Sequence, residues 1–134
     1  MMKTNHTLLT LLAGVSIGLI AAQALPAQGV KPPPAYVIAE IEPDPTKATD
    51  ADASRRYSEE APKTIAAFGG QFLIRGSKPE TVEGDASKGR IALIAFDSLE
   101  KARGWYFSPA YGAVKPIRQN STKSRILIVE GVAR

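Results

Sequence analysis

The chain has 134 residues, of which 44% are hydrophobic and 22% charged, with a formal net charge of +4. This length and composition are those of one globular domain with a single core. There is no cysteine, which excludes disulfides, thiol catalysis and thiolate metal sites. The only histidine, His6, lies in a segment that we expect to be removed. The mature protein would then lack the commonest general base and metal ligand, and we expect no metal and no cofactor.

Residues Met1–Ala24 have the pattern of a secretory signal peptide. Lys3 supplies a positive start, residues 8–22 form an apolar run, and Ala22-Gln23-Ala24 is a small-x-small site that favours cleavage after Ala24. The run is shorter than the roughly 20 residues that span a bilayer comfortably. The sequence therefore predicts a periplasmic or secreted protein that meets a membrane only through this segment before cleavage. The alternative is an uncleaved N-terminal anchor.

A proline-rich linker and four strands are predicted after the signal. Residues 25–34 contain four prolines, which block regular structure, so we expect one folded domain over residues 35–132. The third strand is apolar after its first residue, which indicates that both of its faces are covered. We expect Glu80–Glu83 to extend the second strand after a bulge. The predicted strands, rich in β-branched and apolar residues, are Ala35–Glu42, Gln71–Arg75, Arg90–Phe96 and Ser124–Val132.

The first predicted helix covers residues 50–68. Tyr57, Ala61 and Ile65 recur at spacings of four and therefore share one face. Pro62 has no N–H to donate to the carbonyl four residues back, which predicts a kink or a restart near Glu59–Pro62. Gly69-Gly70 is expected to end this helix, because glycine readily adopts the left-handed conformation.

The second helical region is predicted in two pieces. Asp97 or Ser98 can cap the first piece. Ser108-Pro109 has the pattern of a second cap with proline at the first helical position. Gly112 and Pro116 weaken the helix that follows.

The resulting order, βαββαβ, predicts a ferredoxin-like α+β fold. In this fold a four-stranded antiparallel sheet carries its helices on one face. The other face would also be apolar, because the third and fourth strands have hydrophobic residues on both sides. An exposed apolar face of that size favours a homodimer whose two open sheet faces stack.

Several segments together resemble the bacterial family called domain of unknown function 1330. The resemblance covers residues 35–132, and it is carried by AYVIAEIE, TIAAFGGQFLIRG, VEGD, RIALIAFDSLEKARGWYFSPAYGAVK and SRILIVEG. The family is similar to the dimeric α/β-barrel superfamily, which implies the same dimer, but its activity is unknown and implies no catalytic residues. This chain departs from the family pattern in its secretion signal and in Gly112 and Pro116.

Charged side chains are predicted to gather at one edge of the sheet. There the ends of the first two strands meet the starts of the last two, which brings Arg75 and Glu40 together with Glu42, Arg90 and Arg125. The cations suit a carboxylate or phosphate ligand, because arginine makes bidentate contacts. The alternative is a structural ion-pair network that holds the strand ends.

Aromatic side chains form a second candidate site. In related barrel enzymes, cavities between helix and sheet take aromatic or polyketide-like substrates, and a similar apolar pocket is expected here. The alternative is that the same aromatic residues form the core and the dimer interface. The candidate pocket residues are Tyr36, Trp105, Tyr106 and Tyr111.

Three functions are compatible with these patterns. The first is an exported dimeric domain that binds a small organic acid or aromatic ligand. The second is a cofactor-independent oxygenase, isomerase or dehydratase that would use Arg75, tyrosine hydroxyls and a carboxylate such as Glu40 or Glu60; Glu59 and Glu60 are more simply solvated. The third is a protein-interaction module using the basic C-terminal region. No nucleic acid is expected, because aromatic residues do not interleave those cations.

Overall fold

A computed structural model describes residues 30–133; the predicted signal peptide lies outside them. The chain forms four strands and three helices in the order β1, α1, β2, β3, α2, α3, β4. Their bounds are β1 Ala35–Pro43, α1 Ala51–Ala67, β2 Gln71–Ser77, β3 Arg90–Phe96, α2 Leu99–Tyr106, α3 Pro109–Ser121 and β4 Thr122–Glu130.

The strands form one antiparallel sheet in the order β2-β3-β1-β4. The predicted ferredoxin-like α+β fold is confirmed. Helix α2 packs on the sheet against β1, β3 and β4, whereas α1 packs chiefly on α3. Because α1 rests on another helix, it leaves space above the sheet, and the candidate site lies in that space.

The two faces of the sheet differ in burial. Val37 on β1 and Ile94 on β3 are buried towards the helices at 1% and 4% exposure and are register partners. Side chains alternate between faces along a strand, so Ile38 and its partner Leu127 on β4 lie on the opposite, open face. Apolar side chains on that face are partly exposed, Leu127 at 39% and Val129 at 40%.

Each helix begins at a polar cap. The Asp50 carboxylate accepts hydrogen bonds from the backbone N–H groups of Asp52 (2.9 Å) and Ala53 (3.0 Å). Ser98 caps α2 and Ser108 caps α3, which has Pro109 in its first turn as predicted. Such caps satisfy backbone donors that have no partner inside the helix.

Two local predictions are wrong, a restart of the first helix near Pro62 and a strand over residues 80–83. Helix α1 continues through Pro62. The helix predicted after Ser108-Pro109 is present, and it continues through Gly112 and Pro116. Packing of their apolar faces outweighs the poor intrinsic propensity of these residues. Residues 80–83 form no strand; β2 ends at Ser77, and its irregular pairing with β3 lies inside the strand at Phe72/Ile74 and Arg75/Ser77.

No helix within residues 30–133 is long and apolar enough to cross a membrane.

Gly70, directly after the positive-φ residue Gly69, leaves no room for a side chain. A Cβ there would lie 2.6 Å from both Ile65 Cγ2 and Phe96 Cε1. We expect Gly70→Ala to lower the free energy of unfolding by about 1–3 kcal/mol, the usual cost of overpacking a core. Gly112→Ala is the matched control, because its Cβ would meet nothing within 4 Å; it should stabilise the protein by about 0.5–1 kcal/mol. Urea unfolding measures both, and equal effects would contradict the packing explanation.

Candidate functional site

A cavity of about 200 Å³ lies between the helix face of the sheet, α1 and α3. Its walls are mostly apolar, with Val37, Ile65, Ile94 and Trp105 among them. Ser58 and Arg75, which also line it, are exposed residues. The cavity therefore opens to solvent beside these two residues.

Small side chains create this space. Ala39 and Ala92 are register partners on the central strands, and both line the cavity together with Ala61 of α1. These alanines are buried at 6%, 8% and 5% exposure. Protein interiors are ordinarily filled to crystal-like density. Three alanines facing one region therefore leave a volume that larger apolar residues would have filled.

One wall of the cavity carries a buried guanidinium. Arg118 of α3 is 6% exposed, and its Nε has no hydrogen-bond partner among the described residues. The hydroxyls of Tyr57 and Tyr111 lie 3.1 Å apart and interact with it. Burial lowers the pKa of Arg118, but the two tyrosines outweigh burial and raise the pKa overall. Arg118 thus remains a cation, although no carboxylate forms an ion pair with it in the described part of the chain.

Helix α3 positions this group through its first turn. The buried Ser108 hydroxyl accepts a hydrogen bond from the Tyr111 N–H at 3.2 Å and donates one to the Trp105 carbonyl at 2.7 Å. The cap fixes where α3 begins, and residues spaced by three and four then share one face. Tyr111, Val114 and Arg118 have this spacing, and all three are buried.

Aromatic rings form the floor beside this cluster. The Trp105 and Tyr111 ring centroids are 4.2 Å apart, and those of Phe96 and Trp105 are 5.6 Å apart. The Trp105 indole N–H donates to the Thr64 hydroxyl at 3.0 Å. The rings are therefore packed rigidly and give an ordered apolar surface.

A second guanidinium stands at the mouth. Arg75 lies on β2 opposite Ala92, with its Cζ 5.0 Å from the centroid of the Phe72 ring. Its Nη2 donates to the Ser58 carbonyl at 3.5 Å. That carbonyl is available because Pro62, four residues on, has no N–H to offer it.

The predicted aromatic site residues do not all lie in the cavity. Trp105 and Tyr111 line the cavity with Arg75. Tyr106 packs against both rings, at 6.0 and 5.8 Å between centroids, but does not line the cavity. Tyr36 pairs with Ala95 and Val129 on the open face, so it lies on the other side of the sheet.

The predicted charged edge is also split by the sheet. Glu40 lies on the open face and accepts two hydrogen bonds from Arg125, at 2.9 and 3.0 Å. Arg75 lies on the helix face, and Arg90 donates to the Gly76 carbonyl at 2.9 Å. The structure thus brings Glu40 and Arg125 together but places Arg75 on the opposite face, because successive residues along a strand point to opposite faces.

Two residues of the candidate site are not among those predicted from the sequence. Arg118 lies in the basic C-terminal region, and Tyr57 lies on the helix face that it shares with Ala61 and Ile65. The available signal was the spacing of Arg118 from Tyr111, which places an arginine on the apolar face of its helix.

Among residues 30–133, no group of histidine, cysteine, aspartate and glutamate side chains could hold a metal ion.

The family profile described as domain of unknown function (DUF1330) matches residues 34–132. The chain belongs to this family. A sequence comparison with curated proteins finds no match.

Solved structures share the fold of this DUF1330 protein at low sequence identity. A protein of unknown function from Rhodopseudomonas palustris has a TM-score of 0.58 and 16% identity, over 76% of this chain and 85% of that chain. Hydroxynitrile lyase from Passiflora edulis has a TM-score of 0.55 and 12% identity, over 77% of this chain and 97% of that chain. A hypothetical protein from Arabidopsis thaliana has a TM-score of 0.52 and 13% identity, over 78% of this chain and 93% of that chain. At these identities the similarity concerns the fold alone.

Burial, together with the neighbouring Tyr111, raises the pKa of Tyr57 well above its ordinary value. The unfolded chain releases this proton above about pH 10, whereas the folded protein keeps it. The protonated Tyr57 therefore contributes fully to the free energy of unfolding below about pH 10, and this contribution is lost as the pH rises further. We expect Tyr57→Phe to reduce the alkaline loss of stability. The variant should also be about 1 kcal/mol less stable at neutral pH, for the lost hydrogen bond to Tyr111. Urea unfolding between pH 7 and 12 measures both effects, and parallel alkaline curves would contradict this role.

Proposed function

We propose that this DUF1330 protein is an exported, dimeric binding protein for a small amphipathic carboxylic acid, held in the cavity between α1, α3 and the sheet. One observation carries the proposal. Arg118 is 6% exposed in an apolar wall, and its Nε has no hydrogen-bond partner among the described residues. Export is inferred from the signal pattern of Met1–Ala24.

Physical chemistry favours an anion at this position. A buried charge without an ionic partner is unfavourable, and a carboxylate that accepts hydrogen bonds from the guanidinium removes that cost. The hydroxyls of Tyr57 and Tyr111 offer further hydrogen bonds beside it. The apolar walls would cover the hydrocarbon part of the ligand, which is the usual division of roles in small-molecule sites.

The cavity lining favours binding over catalysis. Among the described residues that form it, none is an aspartate, glutamate or histidine. An enzyme using this cavity would depend on tyrosine hydroxyls for proton transfer, and the raised pKa of Tyr57 makes its hydroxyl a weaker acid than that of an ordinary tyrosine.

The charge of the ligand can be tested with matched compounds. We expect p-toluate to raise the melting temperature of the purified protein, by mass action, and the neutral p-toluamide to have little effect. Arg118→Met should abolish the response to p-toluate. Its own stability should remain close to that of the wild type, because the substitution removes the cost of a buried charge together with the contacts that this charge makes with two tyrosine hydroxyls.

Ala39→Leu provides an independent test of the location. The added side chain would occupy the cavity, so ligand binding should be lost while folding is retained. Thermal shift and isothermal titration calorimetry measure both properties. Equal binding of the acid and the amide, or binding that survives both substitutions, would contradict the proposal. Conversion of the acid into a product would favour the enzymatic alternative.

The dimer part of the proposal is supported by the exposed apolar side chains of the open sheet face. Leu127 and Val129 of β4 are 39% and 40% exposed, and Leu73 and Ile74 of β2 are 57% and 37% exposed. Burying several hundred Å² of such surface contributes on the order of 10 kcal/mol before association costs, at about 25 cal/mol per Å². A second copy of the same face would cover it symmetrically.

Leu127→Glu should convert this dimer into a monomer, because it places a carboxylate in the stacked interface. Phe107→Glu is the control, since Phe107 is 68% exposed at the end of α2 on the helix side. Size-exclusion chromatography with light scattering measures the mass of each variant. A wild-type monomer at micromolar concentration would contradict the dimer.

A further inference from the structure

The cavity contains two guanidinium groups and no balancing acid. Arg118 is buried in its wall and Arg75 stands at its mouth. None of the described residues that line the cavity is an aspartate or a glutamate. The lining therefore carries two formal positive charges that the protein itself leaves uncompensated.

Three other basic residues form short ion pairs with carboxylates. Arg125 binds Glu40, Arg55 binds Asp52 and Lys63 binds Glu60, each at 2.8 to 2.9 Å. Arg75 and Arg118 have no such ion pair in residues 30–133. Arg75 holds the Ser58 carbonyl at 3.5 Å, the long limit for a hydrogen bond, and its guanidinium lies over the Phe72 ring. Its remaining donors are available to a ligand.

The sheet register separates the two cations. Arg75 on β2 pairs with Ala92, Ala92 with Ala39, and Ala39 with Ile126 on β4. This row crosses the sheet from one edge to the other, roughly 14 Å at a strand spacing of about 4.8 Å. Arg118 lines the cavity together with Ile126, and both also line the outer recess beside β4. The two guanidinium groups thus approach one apolar space from opposite sides.

We propose that the ligand is a small dicarboxylic acid, with one carboxylate on Arg118 and the other on Arg75. This inference rests on the proposed function and narrows its ligand class. The Phe72 ring and the three alanines that line the cavity would cover a single ring or a short chain between the two acid groups. The cavity of about 200 Å³ is adequate for that body, since ~150 Å³ admits benzene.

The test uses pairs of acids that differ by one carboxylate. Terephthalate is compared with p-toluate, and adipate with hexanoate, by isothermal titration calorimetry at fixed ionic strength. We expect each diacid to bind about tenfold more tightly than its monoacid, or better, because charge-assisted bonds to arginine are strong. Arg75→Gln should reduce that ratio to about one while monoacid binding through Arg118 is retained.

The control is Arg103→Gln, which removes an equal charge from the exposed face of α2, away from the cavity lining. It should keep the preference for the diacid, which excludes a general effect of net charge. Arg75→Lys should keep only part of the preference, because lysine cannot make the bidentate contact. The melting temperature without ligand verifies that each variant is folded.

The outcomes separate the two proposals. Monoacids and diacids that bind the wild type equally would overturn the dicarboxylate inference and leave the proposed function standing. A diacid preference that persists in Arg75→Gln would overturn the assignment of the second carboxylate to Arg75. If neither acid of either pair binds, the proposed function itself fails.

Discussion

The proposed function depends on three small side chains that line the cavity. Ala39, Ala61 and Ala92 meet where a ferredoxin-like domain would ordinarily fill the layer between helix and sheet with large apolar residues. Because these side chains are small, a space remains between the sheet and α1, which packs chiefly on α3. Arg118 lines that space. With larger residues there, the guanidinium would have no cavity to face, and the domain would be a closed core with a charged surface.

The fold follows from features that a sequence displays directly. Runs of β-branched residues, the Gly69-Gly70 break and the Ser108-Pro109 cap are local signals whose physical causes act within a few residues. They were sufficient to predict the strand and helix order and the ferredoxin-like sheet. The helices nevertheless run through Pro62, Gly112 and Pro116, because the packing that stabilises these segments comes from distant parts of the chain.

The candidate site was only partly predictable, for two physical reasons. Both faces of the sheet are apolar. The alternation of polar and apolar residues therefore could not show whether Tyr36 and Glu40 lie on the helix face or on the open face. Charged residues are usually solvated, so an arginine such as Arg118 is expected at the surface, although its spacing from Tyr111 and Val114 places it on the buried face of α3. Arg75, Trp105 and Tyr111 were predicted as site residues, and the structure places all three around one cavity.

Pro62 has a consequence for how selective the mouth of the cavity can be. By leaving the Ser58 carbonyl without its helical donor, it gives Arg75 an acceptor inside the protein itself. A ligand that uses the same nitrogen of Arg75 would displace that carbonyl, so the molecule contains a weak competitor for one of its own donors. A neutral oxygen on a ligand would only exchange one such bond for another, whereas a carboxylate would offer a stronger one. Under the proposed function, the missing N–H of one proline would therefore help the entrance to discriminate by charge.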